Sequence, residues 1–346
     1  GGGGGAGFSP DADENLLAGT DAGEDLDGTN ACFNVLMGYR AGKEMTTASA
    51  NIAIGRQALG GGVVTGNNNI ALGCSSGAQI TGGYNNVFMG SNAGDSTTTG
   101  SFNVFIGCES GQANICGLNN VYIGGSSAGG LDKCGCNNIA LGNYAQGGVN
   151  GDSIARQYNI SVGHYTSAKL TSGKENIALG SQAGCNVAAA DYNVSIGYMA
   201  GRCMAADENI FIGLYAGRGS STLGDNTGKT NIAIGYNAGK DLCTGACNVL
   251  MGMAAGTKLT SASSNVAIGQ KAMFCGTTQE YSVAIGYGAM HGNTTTAPTG
   301  NFNVAVGYET LKNICTGTLN VAVGYKAGDS VTEANRNVFI GGYAGC

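Results

Sequence analysis

One short motif, Asn-apolar-any-apolar-Gly, recurs from Asn15 to Gly341 and limits what this chain can fold into. Most copies follow one another at 17 residues, with three longer intervals of 21, 22 and 21 residues. A unit this short cannot bury a core of its own, so it must stack on its neighbours. The sequence therefore predicts a repeat protein. The nineteen copies begin at Asn15, Asn34, Asn51, Asn69, Asn86, Asn103, Asn120, Asn138, Asn159, Asn176, Asn193, Asn209, Asn231, Asn248, Asn265, Ser282, Asn303, Asn320 and Asn337.

The residues of one copy predict a single short strand followed by turns. In Asn265 to Gly269, two β-branched residues alternate around Ala267, which is typical of a strand. The Gly ends the strand, and a small pair such as Ala238-Gly239 lets the chain turn close to a neighbouring coil. We therefore expect an all-β fold, a parallel β-solenoid of about nineteen coils of ~17 residues, with stacked Asn side chains hydrogen-bonded from coil to coil.

The domain organisation follows from the extent of the repeat. Residues 1–13 form a glycine-rich and acidic N-terminal segment, and residues 14–346 form a single β-solenoid array that we expect to continue beyond residue 346. The 64 glycines and the low charged fraction of 11% argue against ordinary globular domains, because a solvated globular surface needs more charge.

The charge and hydropathy of the chain argue against nucleic acid and membrane as binding partners. Seven of the 22 acidic residues precede the first basic residue, Arg40, and the remaining 15 nearly balance the 16 basic residues. The array therefore lacks the basic surface that nucleic-acid binding requires. No apolar run approaches the ~20 residues of a membrane span. We expect neither nucleic-acid binding nor membrane insertion.

The middle residue of the motif predicts self-association. If the two flanking apolar residues faced the core, the middle residue would point outward and should be polar. It is uncharged in every copy, as in Ala178, Ala267 and Ala284. An exposed stripe of this kind would promote aggregation unless it were covered. Three identical copies packed side by side would cover it, so we expect a homotrimer whose interface includes the middle column.

The thirteen cysteines cannot all pair within one chain, because their number is odd. Cys116 and Cys134 each lie four residues before the next motif Asn on adjacent coils, within disulfide reach. Cys185 and Cys203 nearly coincide in the same way. Two interpretations stay open for the set as a whole: reduced thiols used as small buried side chains, or disulfides. Within either, Cys116 and Cys134 are the leading pair.

The catalytic and metal-binding patterns in this sequence all fit ordinary positions of the repeat, so we expect no enzyme, no cofactor and no metal site. Residues 73–77 fit the Gly-x-Ser-x-Gly nucleophile pattern but occupy an ordinary turn of the repeat. Asp191 and Asp207 lie two residues before a motif Asn on adjacent coils, so their carboxylates could stand as a retaining glycosidase pair. The cysteines and the two histidines lack the spacing of a zinc site.

The three long intervals are the candidate recognition sites. Their extra residues fall at 147–156, 219–228 and 291–300, and insertions in a solenoid must bulge outward. These bulges are free of the stacking constraint and offer varied polar groups to a receptor. The candidate receptor-contact residues are Asp152, Arg156, Asp225, Asn226, His291 and Asn293.

Two families resemble this chain over about residues 14–345. The unit Ser282 to Gly286 resembles the head repeats of trimeric autotransporter adhesins, which form left-handed β-rolls packed as parallel trimers. The units Asn103 to Gly107 and Asn337 to Gly341, with Ala-Gly turns and scattered cysteines, are still more similar to the glycine-rich repeat proteins of marine cyanobacterial phages.

The resemblance implies a structural role at a surface. It leads us to expect a left-handed β-roll in a parallel homotrimer, and a tail fibre or virion appendage that attaches to a host. The expected partners are a cell-surface receptor or glycan and other virion proteins. The alternative is the head of a bacterial trimeric surface adhesin or an extracellular filament subunit, located at the bacterial cell surface.

Overall fold

A computed structural model describes residues 10–27, 30–128, 133–148, 156–186, 189–203, 205–220, 226–292 and 298–346. The chain divides into two compact units, unit 1 (Gly1–Ser172) and unit 2 (Gly173–Cys346). In both units the described residues form short parallel strands, one in each repeat, joined by turns. The prediction of an all-β parallel β-solenoid is confirmed.

The described residues of unit 1 form nine strands that pair in sequence order and without a register shift. In each pair the three strand residues face their counterparts, as Val104 faces Val121. The strands are β1 Leu16–Ala18, β2 Val35–Met37, β3 Ile52–Ile54, β4 Ile70–Leu72, β5 Val87–Met89, β6 Val104–Ile106, β7 Val121–Ile123, β8 Ile139–Leu141 and β9 Ile160–Val162.

In unit 2 the part of the chain that the structure describes forms ten strands with the same in-register parallel pairing, as between Ile210 and Ile232. The strands are β10 Ile177–Leu179, β11 Val194–Ile196, β12 Ile210–Ile212, β13 Ile232–Ile234, β14 Val249–Met251, β15 Val266–Ile268, β16 Val283–Ile285, β17 Val304–Val306, β18 Val321–Val323 and β19 Val338–Ile340.

The motif asparagines form a buried hydrogen-bonded ladder, as the sequence predicted. The main-chain N–H of Asn103 donates to Oδ1 of Asn86 at 3.0 Å, and Nδ2 of Asn103 donates to the same oxygen at 3.1 Å. The same Nδ2 also donates to the carbonyl of Gly117, at 2.8 Å. Each amide therefore joins two coils and satisfies a turn carbonyl that would otherwise be buried without a partner.

The middle residues of the motif point into the core, so the prediction that they face outward is wrong. The middle residue of every strand from β2 to β18 is buried, while its two neighbours are partly or fully exposed, as in Ile210–Ile212. Side chains alternate along a strand, so the middle residue shares a face with the motif Asn. The Asn must face inward to reach the turn carbonyls, and this places the middle residue inside as well.

In several coils two core positions exchange size. In the coil with the large middle residue Phe211, the residue four places after the motif Gly is glycine, Gly217. In the coil with the small middle residue Ala305, a large side chain takes that place, Leu311. A Cβ on Gly217 would overlap the Phe211 ring, so the glycine makes room for the aromatic side chain.

Asp11 completes the first coil of unit 1 in place of a preceding motif Asn. Its Oδ1 accepts the Asn15 main-chain N–H at 2.7 Å, and its Oδ2 accepts Asn15 Nδ2 at 3.2 Å. Burial alone would raise the pKa of the Asp11 carboxyl, but the hydrogen bonds from Asn15 and Asp13 lower it. The segment just before Asn15 is therefore built into the ladder.

Candidate functional site

The outward side of the strands in unit 2 is a large surface that the fold itself does not bury. We call it the outer face of unit 2 and define it by the first and third residues of β10 to β19. All twenty of these residues are apolar, and all are partly or fully exposed. In a sheet with one face in water, the residues that point to the water are usually polar. This face has the composition of an interior.

Unit 1 has an outer face of the same kind, defined by the first and third residues of β1 to β9. These eighteen residues are also apolar and are partly or fully exposed, as at Ile54 (40%) and Met89 (37%). Its edge differs from that of unit 2, because the residue after the motif Gly is charged at Arg56.

Exposed aromatic rings extend the outer face of unit 2 along one edge. The residue after the motif Gly is uncharged in every coil of this unit, and several of these residues are tyrosines. Tyr308 stacks between Tyr287 and Tyr325, with ring centroids 5.1 and 5.2 Å away. The tyrosine row is thus continuous with the apolar columns.

The outer faces are large for uncovered apolar surface. Ten strands spaced about 4.8 Å apart and a strip about 13 Å wide give unit 2 roughly 600 Å². That value is at the upper end of the ~300–600 Å² of the largest apolar patch on a typical monomer. The narrower strip of unit 1 adds roughly 350 Å². The outer face of unit 2 alone approaches the ~800 Å² that each partner buries in a stable complex.

The structure describes three of the six candidate receptor-contact residues. Asp152, Asp225 and Asn293 lie outside the described residues. Arg156 is buried, and its Nη1 donates to the Gln146 carbonyl at 2.6 Å. In this structure the Arg156 side chain is therefore enclosed within the fold.

The other two described candidates also make contacts within the chain. Asn226 is buried and exchanges two hydrogen bonds with the main chain of Ser220, at 2.9 and 3.1 Å. His291 is partly exposed and stacks on Phe274, with ring centroids 5.2 Å apart. The sequence pattern marked the bulges but gave no signal for which of their polar residues turn inward.

The cysteines follow two patterns. Cys116 and Cys134 form a disulfide between adjacent coils, with their Cα atoms 4.7 Å apart. Cys203 is a buried thiol, and Asn186 Nδ2 lies 3.4 Å from its sulfur. Cys74 and Cys108 are exposed thiols. The single disulfide of the described residues is thus the pair that the repeat spacing favoured.

The two carboxylates considered as a glycosidase pair serve the turns. Asp207 Oδ1 accepts the Asp191 main-chain N–H at 3.1 Å, and Asp191 Oδ1 accepts that of Lys174 at 2.7 Å. The hydrogen bond from Lys229, at 2.7 Å, lowers the pKa of the Asp207 carboxyl. A general acid of a glycosidase needs a raised pKa, so this arrangement does not fit that role.

The described residues offer neither a metal site nor a membrane-spanning helix. No group of three or more His, Cys, Asp or Glu side chains in those ranges could hold a metal ion. Nor do these ranges contain a helix long and apolar enough to cross a membrane.

Comparisons with protein-family models, with curated proteins and with solved structures found no match to this chain.

Proposed function

We propose that this chain is a structural segment of a phage tail fibre or another virion appendage, which takes part in attachment to a host surface. The outer faces carry this proposal. Apolar surface of this extent is unfavourable in water, at roughly 25 cal/mol for each Å² left uncovered. A second copy of the chain brings a strip of the same length, the same repeat and no charge, so copies are suited to cover one another.

The assembly we propose is a parallel homotrimer of left-handed β-rolls. In a closed ring of three copies each outer face packs toward its neighbours, and no copy is left with an open apolar strip. The in-register repeat supports a parallel arrangement, because coils of equal spacing can stay matched over the length of each unit. The chain would then act by assembly and binding, without catalysis or a cofactor.

The same assembly would serve the head of a bacterial trimeric surface adhesin or an extracellular filament subunit. The Ser282–Gly286 unit, which matches the adhesin repeat, supports this second candidate. In both cases the appendage would project a receptor-binding surface, and in the first it would also contact other virion proteins.

Immunogold electron microscopy separates the two candidates. Antibodies raised against the purified chain would be applied to virions of the phage that carries the gene and to uninfected cells of its host. We expect gold on an appendage of the virion, and binding of the purified chain to host cells. Gold on the surface of uninfected cells would favour the adhesin. Labelling of neither would contradict both proposals.

A further inference from the structure

Three basic residues stand at the same place on successive coils of unit 2. Arg202, Arg218 and Lys240 each lie five residues after a motif Gly. The Cys203 N–H donates to the Arg218 carbonyl, and the Gly219 N–H donates to the Lys240 carbonyl, both at 3.0 Å. These bonds hold the three residues in register, about 4.8 Å apart along the stack. We call them the basic row.

The fold does not require positive charge at this place. Other coils carry Ala78, Ala168 or Thr257 there. Like charges on neighbouring coils repel one another, so three cations in register weaken the stack. Within the ranges that the structure describes, none of the three forms an ion pair with a carboxylate. The basic residues that do form ion pairs there are Arg40, Lys43, Lys229, Lys312 and Lys326. Among the described residues, the row therefore carries positive charge without an ion-pair partner.

Aromatic rings and an unused donor accompany the row. The Arg218 guanidinium lies over the Tyr215 ring, 5.8 Å from its centroid, and Tyr215 packs edge-on against Tyr198 at 5.6 Å. The Nε of Arg202 is buried and has no hydrogen-bond partner among the described residues. A ligand at this row would meet positive charge, hydrogen-bond donors and flat apolar rings together.

A cavity of about 450 Å³ adjoins the row at its centre. Its volume lies within the range of small-ligand sites in proteins. Hydroxyl, carboxylate, thiol and guanidinium groups surround it, so it can both donate and accept hydrogen bonds. The lining residues are Arg218, Ser220, Asp241, Cys243 and Thr260.

We propose that the basic row and this cavity bind an acidic polysaccharide, a linear glycan that carries sulfate or carboxylate groups. A row of cations at a fixed spacing suits a linear chain of regularly placed anions, and the cavity offers partners for sugar hydroxyls. Nucleic acid is the less favoured polyanion, because three cations on a chain of net charge -6 provide little of the electrostatic attraction on which such complexes depend. This proposal rests on the attachment function and names the chemistry of its receptor.

Binding of defined polymers to the full chain tests the proposal. Immobilised protein would be titrated with dextran sulfate, with uncharged dextran of the same length, and with oligo(dT), at low and at physiological salt. The variant Arg202→Ala/Arg218→Thr/Lys240→Thr uses small residues that other coils carry at this place. The control Lys174→Thr/Lys271→Asn/Arg336→Asn removes three cations from other places in unit 2, so both variants carry the same net charge.

We expect the parent to bind dextran sulfate in a salt-dependent manner and to bind dextran far more weakly. The row variant should lose at least about tenfold in affinity, as expected for three ionic contacts made by partly exposed side chains, while the control stays within about twofold. Circular dichroism and light scattering would show that both variants fold and assemble like the parent.

Three results would overturn the proposal. They are equal affinity of the row variant and the parent for dextran sulfate, equal affinity of the parent for dextran and dextran sulfate, and a preference of the parent for oligo(dT). The last result would assign the row to nucleic acid. Light scattering measures assembly in each variant separately from glycan binding. A variant can therefore disprove the glycan site without disproving the packing of copies through their outer faces.

Discussion

At the residue scale, the Asn ladder explains why one residue type recurs almost without exception. A motif Asn supplies one acceptor and two donors, and a regular coil uses all of them. Ser282 is the exception. Its hydroxyl still accepts the Asn303 N–H at 3.1 Å, but it has no amide to donate to the next turn. The ladder of unit 2 is therefore incomplete at this coil.

Replacing Ser282 with Asn should stabilise unit 2, whereas replacing Asn248 with Ala should destabilise it. The first change adds an amide donor that can reach a turn carbonyl, worth about 1 kcal/mol. The second leaves buried main-chain groups without partners, at a cost of about 1–3 kcal/mol. Urea denaturation of both variants and the parent would measure these differences. A lower midpoint for Ser282→Asn would show that the serine is preferred there.

A second residue-scale prediction concerns acid. Lys312 and Lys326 lie 2.7 and 3.4 Å from the carboxylate of Glu309, and the hydrogen bond from Lys312 is the main reason that its pKa is lowered. Folding therefore favours the charged form. This stabilisation is present above the ordinary Glu pKa of about 4.3 and is lost as the pH falls through the lower folded value.

The matching measurement is the thermal midpoint of the parent and of Glu309→Gln from pH 7 to pH 3. We expect the parent to be the more stable protein at pH 7, with the difference shrinking as the carboxylate is protonated. A difference that stayed the same over this range would mean that packing, and not charge, accounts for the effect of Glu309.

At the element scale, most features of each coil could be predicted from the sequence, but the direction of the middle strand residue could not. The motif predicted the strands, their parallel pairing and the buried Asn, because all three follow from a period of 17 and a period of two within the strand. The direction of the middle residue was misjudged because β-branched residues such as Val266 suit either face. The exchange between Phe211 and Gly217 was the available signal, since only core residues need to balance their volumes.

The size exchange predicts a rescue. Phe211→Ala alone should cost about 3–5 kcal/mol, because it leaves a cavity in the stack. Adding Gly217→Leu should restore part of that loss, since Ala305 with Leu311 is the same combination in another coil. The restoration will be incomplete because a Leu at that place has a positive φ, as Leu311 does at 46°. Urea denaturation of the parent, the two single variants and the double variant gives the interaction free energy between positions 211 and 217. Additive effects would mean that the two positions do not share a volume.

The disulfide ties two adjacent coils of unit 1 across a sequence separation of 18 residues. Alkylation without reductant, followed by peptide mass spectrometry, should find Cys116 joined to Cys134 and most other cysteines alkylated. Replacing both with Ser should lower the stability by about 3 kcal/mol, as expected for a loop of this size. Six bridges in one chain would instead indicate a protein held together by disulfides.

At the scale of the whole molecule, the outer faces link the fold to the proposed function. The sequence predicted that an apolar stripe must be covered but assigned it to the middle column; the structure moves it to the first and third strand residues. Side chains in the bulges could not be predicted, because contacts such as that of Arg156 with Gln146 depend on the local path of the chain. The repeat pattern therefore predicts the structure of the regular coils but not the side-chain contacts of the bulges.

Sedimentation equilibrium of the purified chain tests the central claim, that copies pack through their outer faces. We expect the parent to sediment as a trimer, at three times 34.4 kDa, and the variant Ile212→Glu/Ile234→Glu to dissociate, because it would bury unpaired charges in the interface. The control Thr244→Glu/Ser261→Glu adds the same charge at exposed turns of unit 2 and should remain trimeric. A parent that sediments as a monomer of 34.4 kDa at micromolar concentration would contradict the account.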